Sequence, residues 1–409
     1  MITKLNFTDR TIKSYAIRKL TPKECFRLMG VRDNVIGTMQ SSNAQAAERL
    51  PDWKGKCNPE DMAISASQQY KQAGNSIVVD VLAHIYEQLF YPAPPKPRPG
   101  EQLSLFDDPE DTLPALPPTA ADKNEEKIFL TTFSGYDSQL MAADVLREWH
   151  PDFRWTCKGW SDIDKYACQM HNLVFPQFAD CALGDITKID WHKVKDSLHG
   201  REVDLFTYSS PCQDISQAGK QMGLQEGSDT RSALLWRVAD AVEVLRPKYL
   251  LQENVAALVS QKFMPDFQKW LDKLSSLGYV SRWARLNAKN YGVPQNRDRV
   301  FCLSMRRDVA FDYQFPEPFE LLTRLEDVLE EEVSDRYFLK DDAVSKFLKA
   351  NDSDNALFLQ FDLPPTHEAA MFLKTVLQIF MERHDGWDKG IEWNEKGLSY
   401  HRPAIVRLY

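Results

Sequence analysis

Between residues 127 and 308 the chain alternates short apolar runs with amphipathic stretches. The runs are Ile128–Thr132, Trp155–Trp160, Val203–Tyr208, Tyr249–Leu251 and Val300–Ser304. Runs of strand length interleaved with helical periodicity predict βαβ units, and hence an α/β sheet with helices on both faces. Upstream, Thr21–Met29 and Ile77–Leu89 repeat their apolar residues at helical spacing. In the first of these Thr21 is a candidate N-cap, with Pro22 at the first position and Glu24 closing a capping box. Residues 92–126 are Pro-rich, then acidic and Ala-rich, with few large apolar groups, a composition that predicts a flexible linker. Residues 309–409 are mixed and acidic, with weak periodicity, and the chain shows no internal repeat.

Composition narrows the class. With 43% hydrophobic and 27% charged residues, the 409-residue chain is that of an ordinary globular protein, large enough for one sizeable domain and smaller additions. No apolar run reaches the roughly 18–20 residues of a membrane span, so no membrane partner is expected. The stretch Met1–Arg10 lacks a signal-peptide core, which predicts a cytoplasmic protein. Seven cysteines are scattered without paired zinc spacing, so free thiols are expected, one of them catalytic, and no metal site. A net charge of −9 gives no overall attraction for nucleic acid; a local basic cleft would have to supply it.

Five strand ends carry candidate chemistry. Ser209-Ser210-Pro211-Cys212-Gln213 follows one apolar run and Glu253-Asn254-Val255 follows another, which pairs a nucleophilic cysteine with an acid. Both groups would emerge at the carboxyl ends of neighbouring strands, where open α/β sheets bind ligands. Ile128–Thr132 leads into Phe133-Ser134-Gly135, a glycine turn that lets backbone approach a nucleotide-like ligand. Asp162, beside Ile163, is placed to bind ribose hydroxyls, and Asp185, beside Ile186, to accept from an adenine amino group. Taken singly, each residue has an ordinary explanation: a buried apolar cysteine, a turn glycine, a solvated acid. Their joint occurrence in a compatible order is what those explanations leave unaccounted for.

That order resembles the cytosine-5 DNA methyltransferase family over nearly everything except residues 92–126 and about the last 90. Phe133-Ser134-Gly135 resembles the family's first cofactor motif, Asp162 its ribose acid and Asp185 its adenine acid. Pro211-Cys212-Gln213 resembles the catalytic loop, Glu253-Asn254-Val255 the acid motif, and Gln295–Arg299 the later arginine motif. Asp229-Thr230-Arg231-Ser232 resembles the segment between the first two of these. Two departures stand out: Asp137 occupies a position where the family usually has a second glycine, and the ribose acid is more often glutamate. Arg18–Glu24 and Gln72-Ala73-Gly74-Asn75-Ser76 resemble motifs that close the chain in most of the family, yet here they come first. The chain therefore resembles a circular permutant joined through the Pro-rich linker.

The resemblance implies a Rossmann-like methyltransferase sheet with a small C-terminal target-recognition region. It implies permuted motifs in 1–91, a catalytic and cofactor-binding core in 127–318 and recognition in 319–409. S-adenosylmethionine would be the cofactor, held by Phe133, Ser134, Gly135, Asp162, Ile163, Asp185, Ile186, Pro211, Asn75 and Ser76. Cys212 would add to carbon-6 of a flipped cytosine, Glu253 would bind the ring edge, Arg299 the ring oxygen, and Arg297 would support the catalytic loop or the thiolate. The segment Gln213–Thr230 would close over the base. The expected partner is double-stranded DNA, in a restriction-modification system or a phage; an RNA-directed enzyme on the same scaffold, or an idle DNA-binding module, are the alternatives. Gln102-Leu103-Ser104-Leu105-Phe106 resembles the short peptide that docks bacterial repair proteins on the sliding clamp, which would place the protein at the nucleoid.

Overall fold

Adjacent residues of the central strands point into two different cores, and that alternation is what builds the sheet. In the computed structural model, residues 18–40, 64–92, 113–114, 125–211 and 234–338 are described in full, and two short hairpins near the chain ends by their backbone. The chain divides into two units: residues 22–329, and residues 1–21 together with 330–409.

The larger unit holds a six-stranded sheet of β3 (Lys127–Thr132), β4 (Trp155–Ser161), β5 (Leu205–Tyr208), β6 (Tyr249–Val255), β7 (Tyr279–Asn287) and β8 (Asp298–Arg306). Its order is β4-β3-β5-β6-β8-β7. The first four strands are mutually parallel, and β8 runs antiparallel to both β6 and β7. The predicted βαβ alternation is present, with helices on both faces. Phe129, Leu205, Tyr249, Leu251, Phe301 and Leu303 face one core; Ile128, Leu130, Phe206, Tyr208, Leu250 and Cys302 face the other.

The first face is covered by α1 (Pro22–Arg27), α2 (33–40), α3 (Ala66–Asn75), α4 (Val79–Phe90) and α5 (Ser138–Trp149). The helix α6 (Lys165–Val174) also contributes to this core, through Met170. The second face is covered by α7 (Trp191–Ser197), α8 (Trp236–Leu245) and α9 (Met264–Ser276). The predicted Ile77–Leu89 helix is α4, which buries Val79, Val81, Leu82, Ala83, Ile85, Tyr86 and Leu89. Each such aliphatic side chain contributes roughly 1.5–3 kcal/mol on burial, so the N-terminal segment is part of the core. The predicted Thr21–Met29 helix ends earlier, at Arg27, followed by a turn in which Gly30 adopts φ 75°. A Cβ at Gly30 would collide with the Asp80 carboxylate, so glycine is what seats this turn on the start of α4.

Two strands extend beyond their apolar runs. The run Tyr249–Leu251 continues as β6 through Gln252, Glu253, Asn254 and Val255, each paired with β8. Glu253 therefore lies within the strand instead of following it, and Arg299 likewise lies inside β8. Polar side chains hid both extensions. The edge strand β7 had no apolar run to announce it, because Arg282, Trp283 and Arg285 are exposed.

Within the linker span, Leu113 packs against the first core and the Pro114 carbonyl accepts from Asp312 N–H at 2.8 Å. The remainder of 93–124, with Gln102–Phe106, lies outside the described residues, as do Gln213–Thr230 and most of 339–409. The smaller unit shows the hairpins β1–β2 (Ile2–Leu5, Ile12–Tyr15) and β9–β10 (Ile391–Asn394, Gly397–Tyr400). In that unit Lys19 N–H donates to the Tyr337 carbonyl at 2.9 Å, and the Thr21 hydroxyl donates to Glu330. Residues 319–329 belong with the larger unit, which ends at Leu329.

Candidate active site

The turn after β3 is the most contorted piece of backbone among the described residues. Phe133, Gly135 and Asp137 adopt positive φ of 53°, 58° and 68° within five residues. Left-handed conformations are uncommon for residues with a Cβ and concentrate at functional turns. Gly135 N–H donates to Asp162 Oδ2 at 2.8 Å, and Asp162 Oδ1 accepts from Asp164 N–H at 2.8 Å. The glycine turn and the acid turn after β4 are thus joined through one carboxylate. Burial raises the Asp162 carboxyl above its ordinary range, against the pull of those two backbone donors. Nothing lies within 4 Å of where a Gly135 Cβ would sit, and Ile163, next to Asp162, is 75% exposed. An open glycine turn, an acid and an uncovered apolar side chain therefore share one region.

The third turn contributes differently. Asp185 Oδ1 accepts from the Thr187 N–H at 3.0 Å and the Thr187 hydroxyl at 2.8 Å, which hold its carboxyl below the usual range. It caps a short 3-10 turn, and Ile186 is buried in the second-face core, away from the open side. Ser134 is buried as well: its hydroxyl sits 2.9 Å from that of Thr131 and donates to the Ser161 carbonyl at 3.2 Å. Ser134 and Ile186 both have buried side chains, so their backbone is what they present at these turns.

The acid end lies one strand away. Tyr208, the last residue of β5, pairs with Gln252 of β6, so Ser209-Ser210-Pro211 leaves the sheet beside Glu253. The Ser209 hydroxyl donates to the Phe133 carbonyl at 3.3 Å, and the Asn254 side-chain amide donates to the Ser210 carbonyl at 3.4 Å. The loop that carries Cys212 is thereby tied at its root to both the glycine turn and the acid motif; Cys212 itself lies outside the described residues. Glu253 is 8% exposed and pairs with Arg299 Nε at 3.0 Å. Burial raises its carboxyl above the ordinary range, while Arg299 and Arg297 oppose that rise.

Arg297 takes a position that sequence reasoning missed. Its guanidinium donates to the carbonyls of Gly74 at 2.9 Å and Ser76 at 2.6 Å, clasping the α3–α4 turn to the base of β8. Asn75, between those carbonyls, is exposed, and Ser76 is half-buried. A second clasp joins Lys71 on α3 to Asp164 at 2.6 Å. The signal for the Arg297 clasp was the Gln-Ala-Gly-Asn-Ser motif itself: a glycine and a C-cap that leave carbonyls open to a donor. Also missed were Ser161, whose hydroxyl donates to the Gly184 carbonyl at 2.6 Å, and Ser209.

Parts of this chain are similar to known proteins. The Type II methyltransferase M2.ScrFI of Lactococcus lactis subsp. cremoris is 47% identical over 162 residues, 40% of this chain and 43% of that protein. The orphan methyltransferase M.SssI of Spiroplasma monobiae is 47% identical over 108 residues, 25% of this chain and 28% of that protein. The chain thus spans less than half the length of these curated relatives. Among solved structures, the S. pombe Dnmt2 methyltransferase covers 62% of this chain and 82% of its own at 18% identity and TM-score 0.42. The family model described as C-5 cytosine-specific DNA methylase matches residues 2–91 and 147–388, well over half of the chain. On that match, this chain belongs to the C-5 cytosine-specific DNA methylase family.

Proposed function

We propose that this chain is a DNA cytosine-5 methyltransferase that uses S-adenosylmethionine. The observation that carries the proposal is the convergence at the carboxyl ends of the central strands β3, β5 and β6: the Pro211 loop, the Glu253–Arg299 pair and the open Gly135 turn. The residues present fit the cofactor, since Gly135 leaves backbone room, Asp162 supplies a carboxylate and Ile163 an uncovered apolar face for a purine. When bound, S-adenosylmethionine supplies a methyl group on a positively charged sulfur. Phe133, Pro211 and Asn75 border that site, and Asp185 lies at its third turn.

Cytosine carbon-5 is a weak nucleophile, and the chain's own groups correct this. The Cys212 thiolate adds to carbon-6, pushing electron density onto carbon-5, while Glu253 hydrogen-bonds ring nitrogen-3 and the amino group. A Glu253 carboxyl kept above its ordinary range is suited to give a proton to nitrogen-3 as negative charge develops there. Arg299 orients that carboxyl and offers its guanidinium edge to the ring oxygen. Once carbon-5 has taken the methyl group, water accepts the carbon-5 proton, the freed electron pair expels the Cys212 thiolate, and nitrogen-3 returns its proton to Glu253, which restores the ring. Flipping the base costs roughly a few kcal/mol.

The finer assignments rest on the same reading. The early position of Arg18–Glu24 and Gln72–Ser76 is a circular permutation, supported by the way α4 completes the first-face core. Residues 319–409 serve in target recognition, and Gln102–Phe106 tethers the enzyme to the clamp at the nucleoid. Transfer of labelled methyl groups to duplex DNA, compared with RNA, tests the substrate: incorporation into DNA is expected, and incorporation into RNA alone would reverse it. Loss of clamp capture in Leu105→Ala/Phe106→Ala tests the tether.

A further inference from the structure

Asp137 stands where the family usually carries glycine, and the backbone explains what glycine would do there. The residue has φ 68° and ψ 56°, a region that glycine enters without strain. A carboxylate in this place is also fully buried, an arrangement that is unfavourable unless partners surround it. Its partners come from three elements. Thr131 on β3 donates its hydroxyl to Oδ2 at 2.7 Å, and Leu140 N–H at the start of α5 donates to Oδ1 at 3.3 Å. The third is His171 on α6, whose Nε2 lies 3.3 Å from Oδ2.

His171 is itself fully buried, and neither ring nitrogen has an aligned hydrogen-bond partner, so Asp137 is the polar group it approaches. Its ring stacks on Trp160 at 3.8 Å and 20°, and Trp160 is fixed by donating to the Phe178 carbonyl at 2.9 Å. Trp160 precedes Ser161-Asp162, and α6 begins directly after Asp164. The imidazole is therefore rigidly attached to the acid turn, and the carboxylate to the glycine turn. Those turns are linked directly by the Gly135–Asp162 hydrogen bond and by Ser134, whose N–H donates to the Ser161 carbonyl at 3.1 Å. The Asp137–His171 contact braces the same two turns from beneath, through the core.

We propose that Asp137 and His171 are a positioning pair that sets the glycine turn against the acid turn, so that the cofactor pocket is assembled before S-adenosylmethionine arrives. The proposal rests on the reading that these two turns hold that cofactor. The pair touches neither cofactor nor base; it acts by fixing Gly135 relative to Asp162.

The test is calorimetric titration of the full chain with S-adenosylmethionine, alongside steady-state kinetics on duplex DNA. His171→Phe keeps the stack on Trp160 and removes the polar contact; Asp137→Ala removes the carboxylate; Asp137→Asn keeps its shape and the Thr131 bond. Asp162→Ala reports on the cofactor reading itself. For His171→Phe and Asp137→Ala, Kd and KM for S-adenosylmethionine should rise roughly tenfold, as for misplaced supporting groups. Both kcat at saturation and KM for DNA should stay within about twofold. Asp137→Asn should recover most of the loss, and the double variant should be no worse than the weaker single one. If Asp137→Ala does not fold, as a melting curve without cofactor would reveal, Asp137→Asn and His171→Phe carry the test. Unchanged cofactor affinity in His171→Phe beside weakened affinity in Asp162→Ala would overturn the pair's role. So would a uniform loss in kcat and both KM values that follows the melting temperature. Full affinity in Asp162→Ala would instead overturn the placement of the cofactor.

Discussion

The two ends of the site are held together by different forces. On the cofactor side, the turns after β3 and β4 are joined by backbone donors and buried hydroxyls: Gly135 N–H to Asp162, the Ser134 hydroxyl to the Ser161 carbonyl, Ser161 N–H to the Ser134 hydroxyl, and the Ser161 hydroxyl to the Gly184 carbonyl. On the base side, one buried carboxyl, Glu253, faces Arg299 while Arg297 grips the carbonyls of Gly74 and Ser76. A chain of hydroxyls fixes shape and responds little to pH. A buried carboxyl between two guanidiniums stores electrostatic energy that titration can release. The difference teaches that cofactor binding should be governed by geometry and the chemical step by charge.

Cys212→Ser breaks the base side most completely. Methyl transfer should vanish, a loss of at least ~10⁴-fold in kcat as for other removed nucleophiles, while calorimetry finds S-adenosylmethionine binding nearly intact. Glu253→Gln removes the proton donor and should lower kcat by roughly 10²–10⁴-fold, again sparing cofactor affinity. The pH profile sharpens the point. A carboxyl whose folded-state pKa lies above its ordinary value is protonated, and its contribution present, at low pH; both fade as pH rises through the raised value. The alkaline limb of kcat should therefore be present in the natural enzyme and absent in Glu253→Gln. Arg299→Met, which removes the opposing charge, should move that limb to higher pH.

Intermediate effects come from the clasp and the core. Arg297→Ala frees two carbonyls at the α3–α4 turn and should cost roughly 2–4 kcal/mol of stability, measured by urea unfolding, through one lost charged donor. Leu82→Ala should cost about 2–5 kcal/mol by leaving a cavity under α4; a loss below that range would detach the N-terminal segment from the core. The smallest effect belongs to the cofactor side. Thr131→Val removes one hydroxyl from the buried chain and should lower stability by about 1–3 kcal/mol, with a pH profile for kcat that superimposes on the natural one.

Much of this arrangement was legible in the order of residues. The apolar runs located five of the six sheet strands; Gly135 and Asp162 lie in the turns that follow two of them, and Glu253 lies within β6. What stayed hidden has physical causes. Apolar patterning reports burial, so β7, exposed along Arg282–Arg285, left no trace, and the polar half of β6 read as a loop. Patterning also does not say where a long side chain ends. The sequence did not announce that the Arg297 guanidinium reaches two carbonyls contributed from more than 200 positions earlier in the chain. Nor does patterning say that the Ile186 side chain, next to Asp185, joins the same core cluster as Trp191 and Phe206.

The claim on which all of this turns is that sulfur chemistry occurs at the base side. A duplex containing 5-fluorocytosine, which has no proton to lose from carbon-5 after methyl transfer, should trap the enzyme as a covalent adduct when S-adenosylmethionine is present. Mass spectrometry of the digested adduct should place the modified base on the peptide containing Cys212, and Cys212→Ser should form none. An adduct mapped to another residue, or methylated DNA produced by Cys212→Ser, would contradict the account.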